Sequence, residues 1–174
     1  MAQQGQPQQV APAAPAPQLP QLPHVPRVGK AFNVLVIRDY LRRVQASAPN
    51  VPQPYQQVVD HFWQHFLAHY FHQGRRFGVE REAFTHRDSG QAADILVSNR
   101  RNGGTHQVIL VEAKRFPNNT RPGWETRYNW RAVKDSVRNH MVESRRWLTT
   151  VQTTFGIAAV GDKVRFYYMS MQNE

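Results

Sequence analysis

The spacing of apolar residues shifts along the chain, and each shift predicts a new element. Between Gln53 and Gln73, Val58, Val59, Phe62, Phe66, Leu67 and Tyr70 recur at intervals of three and four, which predicts a helix with a wide buried face. Gly74 offers a stop, because glycine takes the left-handed conformation common at helix ends. Upstream, Ala31–Ala46 predicts a shorter helix that ends before Pro49-Asn50-Val51-Pro52. Three strand-like runs follow at Arg76–Thr85, Ala92–Asn99 and His106–Lys114. Val108–Val111 is apolar at both parities, as expected of a central strand covered on both sides. Arg101-Asn102-Gly103-Gly104 predicts a hairpin between the second and third strands.

Beyond a proline-containing loop at Phe116–Gly123, Trp130, Val133, Val137, Met141, Leu148 and Val151 predict one long helix from Glu125 to Val151. Thr154–Val160 and Lys163–Met169 then read as strands joined by Gly161-Asp162. This order predicts an α/β domain over residues 31–174, a mixed sheet flanked by helices. The first 30 residues differ: seven Pro, seven Gln, few large apolar groups and no acid. Too little apolar surface is present there to offset ordering entropy, so this stretch reads as a disordered, partly polyproline leader. It lacks the basic start and long apolar run of a secretory signal, and no stretch of the chain is long and apolar enough to span a membrane.

Composition narrows the chemistry. The chain has no cysteine, which excludes disulfides, thiolate zinc sites and a cysteine nucleophile, and fits an intracellular, nuclear or cytoplasmic location. Lys and Arg number 22 against 12 Asp and Glu, a net charge of +10, of which about +8 lies outside the leader. That excess suits a polyanion, nucleic acid before membrane. Oligomeric state is left open, a homodimer included.

The hairpin carries the sharpest candidate site. With Gly103 at the turn centre, Asp94 and Glu112 lie opposite one another on the same face, and Lys114 follows at the strand period of two. Two facing carboxylates repel unless a cation lies between them, and hard oxygen ligands favour Mg²⁺ or Mn²⁺. A carboxylate-bound metal acidifies water and polarises a phosphoryl oxygen, while a lysine answers charge developing on phosphorus.

Ala93-Asp94-Ile95-Leu96-Val97 followed by Val108-Ile109-Leu110-Val111-Glu112-Ala113-Lys114 resembles the signature of the PD-(D/E)XK nuclease superfamily, the restriction-endonuclease-like fold. Within it, the likeness is nearest to nuclease-like domains of filamentous fungi. The resemblance implies an αβββαβ core and a divalent-metal-dependent nuclease acting on DNA, less readily on RNA, leaving a 5′-phosphate and a 3′-hydroxyl. It implies Asp94, Glu112 and the Ala113 carbonyl as metal ligands and Lys114 as the catalytic lysine. Relatives carry a further acid on the first core helix and a Gln on the long helix. Here Asp60 is the only acid in residues 53–73, Glu80 is a second candidate, and Ser136 stands near the expected Gln. The alternative is a catalytically impaired domain of the same fold that binds nucleic acid or another partner. A third reading, a basic structural protein without this fold, predicts Asp94 and Glu112 far apart.

Arg127, Arg131, Lys134, Arg138 and Arg145 form a basic stripe on the expected long helix, a phosphate track or a solvated face. Arg115, next to Lys114, extends it, as do Arg100 and Arg101. His61, His65, His69 and His72 form a stripe without an H-E-x-x-H pattern, which favours packing over zinc. Trp124, Tyr128 and Trp130 either stack on bases or anchor the helix, with anchoring favoured. No serine-nucleophile elbow or phosphate-binding glycine loop occurs.

Overall fold

The computed structural model describes residues 30–46, 51–85, 92–118, 120–146 and 152–170. The leader expectation, with the end of the long helix at Leu148 and Val151, lies outside these residues. Helix α1 spans Leu35–Val44 after a 3-10 turn at Ala31–Asn33, and α2 spans Gln56–Tyr70. Strands β1 (Phe77–Phe84), β2 (Ala92–Arg101) and β3 (Gly104–Lys114) follow, then α3 (Trp124–Arg127), α4 (Trp130–Arg146), β4 (Thr154–Val160) and β5 (Lys163–Met169). These five strands form one sheet in the order β1-β2-β3-β4-β5. Of the neighbouring pairs, only β3 and β4 run parallel, joined by the crossover that contains α4. The mixed α/β sheet flanked by helices is as the sequence predicts.

Two apolar layers hold the helices to the sheet. On one face Ile95, Val97, Val111 and Ile157 pack against Val59, Phe62, Trp63 and Leu67 of α2, with α1 behind. On the other, Leu96, Leu110, Ala158 and Val160 pack against Trp130, Val133, Val137 and Met141 of α4. β3 is therefore covered on both sides, which explains its apolar run. Gly156 lets α4 approach β4 closely: a Cβ there would meet Val137 Cγ1 at 2.4 Å and Met141 Sδ at 2.7 Å.

Three boundaries differ from expectation. The helix read as Glu125–Val151 is two helices, because Tyr128 takes an extended backbone (φ −67°, ψ 142°) between them. Buried Trp124 and Trp130 anchor both pieces, and the Trp130 indole donates to the Glu125 carbonyl at 2.7 Å across the break. Helix α2 stops at Tyr70, before Gly74, and a 3-10 turn at Gln73–Arg75 leads to Arg76 in the left-handed region.

The third difference lies in the hairpin. Arg101 pairs with Gly104, so the turn is the two-residue Asn102-Gly103, both at positive φ. Left regular, that register would place Asp94 opposite Val111. A β-bulge intervenes: Ser98 pairs with Gln107 but Val97 with Ile109, leaving Val108 unpaired. The bulge restores the register that a turn centred on Gly103 would have given.

Candidate functional site

Ile95 pairs with Val111, and the same register continued one step sets Asp94 against Glu112 at the end of the hairpin far from its turn. The Ala113 amide donates to Asp94 Oδ2 at 2.8 Å, fixing that carboxylate across the strands. Lys114 Nζ lies 2.5 Å from Glu112 Oε1 and 3.6 Å from Asp94 Oδ2. The expected trio is thus one cluster. Glu112 is buried, whereas the Asp94 and Lys114 side chains remain 25% and 41% exposed, so the cluster opens to solvent on their side.

The lysine is held at its strand end by a turn distant in sequence. The Gly161 amide donates to the Lys114 carbonyl at 2.7 Å, and the Gly161 carbonyl accepts from Trp63 Nε1 at 3.0 Å. The β4–β5 turn thereby ties the end of β3 to α2.

Sequence reasoning missed His140. Its Nε2 donates to Glu112 Oε2 at 3.3 Å, its side chain is buried, and Ser136 does not hold that place. The signal was present, since His140 follows Val133 and Val137 on the core-facing stripe of α4. A carboxylate accepts only, so this contact fixes the Nε2–H tautomer when the ring is neutral; Nδ1 is buried without a hydrogen-bond partner.

The carboxylates are electrostatically unlike. Burial pushes Asp94 upward, the charge of Glu112 adds to that, and Lys114 with the Ala113 amide only partly offsets it. Glu112 also loses solvation, but bonds from His140 and Lys114 outweigh that loss and hold it below the usual carboxylate range. Lys114 is desolvated too, yet Glu112 and Asp94 raise it above the usual lysine range, so it stays protonated at neutral pH.

Of the accessory acids, Asp60 approaches on the α2 side. Gln56 Nε2 donates to Asp60 Oδ1 at 2.8 Å and to the Ala113 carbonyl at 2.7 Å. Burial raises Asp60, Gln56 opposes this, and the charge of Asp94 raises it further. Glu80 is exposed on β1, opposite Leu96. Among the described residues no three His, Asp or Glu side chains converge as a metal cage. Two carboxylates still fit a Mg²⁺ or Mn²⁺ ion, which keeps several waters and is often held by one or two carboxylates together with substrate phosphate.

The basic stripe is divided. Arg127 falls on α3, its guanidinium 3.5 Å from the Pro122 carbonyl. Arg145 turns inward, donating to the carbonyls of Gln152, Met169 and Ser170, and staples α4 to the end of β5, so it serves neither of the two expected roles, track or solvated face. Arg101 binds Gln152 at 2.5 Å, while Arg115 is exposed beside Lys114. Arg131, Lys134 and Arg138 line an open cavity of about 520 Å³ with Arg165 and Tyr167 of β5. Arg165 lies over the Trp130 ring at 4.6 Å and Lys134 over Tyr167 at 5.9 Å. Burial raises the Tyr128 phenol, with the charge of Lys114 opposing it, and the ring sits 5.4 Å from Trp130. On α2, His61 and His65 stack on Tyr40.

No known protein family, curated protein or solved structure matches this chain. Among the described residues no helix is long and apolar enough to cross a membrane.

Proposed function

We propose that the chain is a Mg²⁺- or Mn²⁺-dependent nuclease that hydrolyses phosphodiesters in DNA, and less readily in RNA. The observation that carries this reading is the convergence of Asp94, Glu112 and Lys114, with Lys114 Nζ 2.5 Å from one carboxylate and 3.6 Å from the other. Its likeness to the PD-(D/E)XK superfamily adds support, since α2, β1–β3, α4 and β4 follow the αβββαβ order. Asp94 and Glu112 would hold the metal, which supplies acidified water and a positive charge on the scissile phosphate. Lys114, kept protonated by its carboxylate neighbours, serves as a fixed cation for the pentacovalent phosphate rather than as the base. His140 holds Glu112 ionised and oriented from the core side. Arg131, Lys134, Arg138 and Arg165 supply sequence-independent attraction for the phosphate backbone.

The test incubates DNA and RNA with the protein while Mg²⁺ and Mn²⁺ are varied, beside Asp94→Ala and Lys114→Ala. Metal-dependent cleavage that falls by about 10²–10³ or more in each variant is expected, as for loss of a charge-stabilising group. Cleavage that survives both substitutions overturns the site.

One observation favours a second reading, a nucleic-acid-binding module without turnover. The Ala113 carbonyl, a candidate third ligand, is already bonded by Gln56. Binding without cleavage under every metal establishes that reading instead.

A further inference from the structure

The sheet face that carries α2 is only partly covered. Beyond the helix, a groove of about 890 Å³ runs toward β4 and β5, lined almost wholly by apolar and aromatic side chains that include Phe32, Phe66, Tyr70, Phe155 and Phe166. Phe155 pairs with Tyr168 and Ile157 with Phe166, so their side chains share this face. Phe155 is 49% exposed, and Phe166 and Tyr168 are each 73% exposed. An aromatic surface of this kind on a highly charged protein marks a place where something docks.

The chain enters the domain at the edge of that groove. The Ala31 amide donates to the Tyr70 hydroxyl at 3.4 Å, and the Phe32 ring lies 5.9 Å from Phe66. Immediately before this point the sequence has a three-residue period: Gln18-Leu19-Pro20, Gln21-Leu22-Pro23, His24-Val25-Pro26, Arg27-Val28-Gly29. A polyproline II helix has three residues per turn, so this pattern places Leu19, Leu22, Val25 and Val28 along one edge. In such a helix the prolines would take the second edge and the polar residues the third. Proline at every third position rules out an interior helix or a central strand, whereas a polyproline II strand needs neither ladder nor helix bonds. Ten residues in that form extend about 31 Å, and aromatic-lined grooves are the usual receptors for them.

We propose that residues 19–28 of this same chain occupy the groove as an amphipathic polyproline II strand. Leu19, Leu22, Val25 and Val28 face Phe66, Phe155 and Phe166, with Gln21, His24 and Arg27 turned to solvent. The short tether through Lys30 holds the segment at high effective concentration, so modest affinity suffices. Such docking is independent of nuclease activity, because the groove lies on the sheet face opposite α4.

The chain has no cysteine, which permits a clean test in the full-length protein. Leu22→Cys combined with Phe166→Cys, oxidised at low protein concentration, is expected to give an intramolecular disulfide. Leu22→Cys with Asn139→Cys, on exposed α4 surface, is expected to give none. A link between two copies overturns the proposal in favour of a neighbouring chain's segment, and no link in either pair overturns it outright. A second measurement leaves the folded residues untouched: Leu19, Leu22 and Val25 are all changed to Ser. Binding of an apolar fluorescent dye is expected to rise several-fold and to fall back on adding a peptide of residues 18–29. Unchanged dye binding counts against the proposal.

Discussion

Glu112 and His140 meet at 3.3 Å inside the layer between the sheet and α4, with both side chains less than a tenth exposed. A buried carboxylate is costly unless it is paired, and here each oxygen has its own partner: His140 on one, Lys114 on the other. His140→Ala removes one of the two influences that hold Glu112 low, so its titration, followed by the carboxyl carbon signal, is expected to move upward. Activity is expected to drop by about 10–100-fold, the usual cost of losing a partner behind a metal ligand. His140→Gln, which keeps a donor, is expected to recover much of both.

Asp94 has the opposite sign. Its acid is raised in the folded state, so the ionised form destabilises the fold at neutral pH, and this cost disappears once pH falls below both folded and unfolded values. Asp94→Asn keeps an oxygen for the Ala113 amide and removes the repulsion with Glu112. Thermal melts are expected to show a more stable variant at pH 7, with the advantage vanishing in acid. A gain of about 1 kcal/mol corresponds to roughly 2–4 °C at this size. A variant less stable at pH 7 would refute the assigned electrostatics.

The pH dependence of cleavage follows from the same pair. At subsaturating metal, activity is expected to rise with pH as the proton leaves Asp94, because the metal binds only the ionised carboxylate and burial with the charge of Glu112 raises that acid in the metal-free protein. It is then expected to show no fall attributable to Lys114 before the usual lysine range, because that cation is stabilised. An ascending limb above neutrality that is lost, together with activity, in Lys114→Arg would assign the lysine a base role instead.

Lys134 and Arg138 project into the groove beside β5. Replacing either with Ala is expected to weaken duplex binding about equally for all sequences. The slope of log affinity against log salt should become shallower by about 0.9 for each phosphate that the variant leaves unneutralised. Arg145→Ala should instead lower the melting temperature, because that side chain staples α4 to β5.

Gly156→Ala tests the packing that places α4. The added methyl has no room between β4 and the Val137 and Met141 side chains, so a loss of about 1–3 kcal/mol is expected in denaturant titrations.

Much of this was legible in the sequence because period and parity were legible. Asp94 and Glu112 interrupt strands that are otherwise apolar, and Lys114 is two residues on, so one face was the natural reading. The register was reached by a route the sequence does not display. The Asn102-Gly103 turn alone sets the hairpin one residue out, and the bulge at Val108 corrects it. Nothing in the apolar run Val108–Val111 marks which residue is left unpaired. His140 carries no comparable mark, because a polar residue on a core-facing stripe shows its partner only once the layer is assembled and Glu112 lies across from it. The break at Tyr128 was hidden because Trp130, Val133 and Val137 keep helical spacing whether or not the helix begins earlier. Arg145 shows that equal spacing cannot separate a solvated cation from one that turns back to bind carbonyls.

The Gly161 turn, which bonds the carbonyl of Lys114 and is itself bonded by Trp63, separates two jobs that sequence order would combine. The lysine's position is guarded by a turn some fifty residues downstream and by a helix some fifty upstream, not by the segment that follows it. The segment after the lysine has anchors of its own, since Phe116 and Thr120 are buried and the Arg121 carbonyl accepts from the Trp124 amide. A change in the β4–β5 turn therefore reaches the ammonium directly, which makes that turn the point from which distant sequence tunes the cluster.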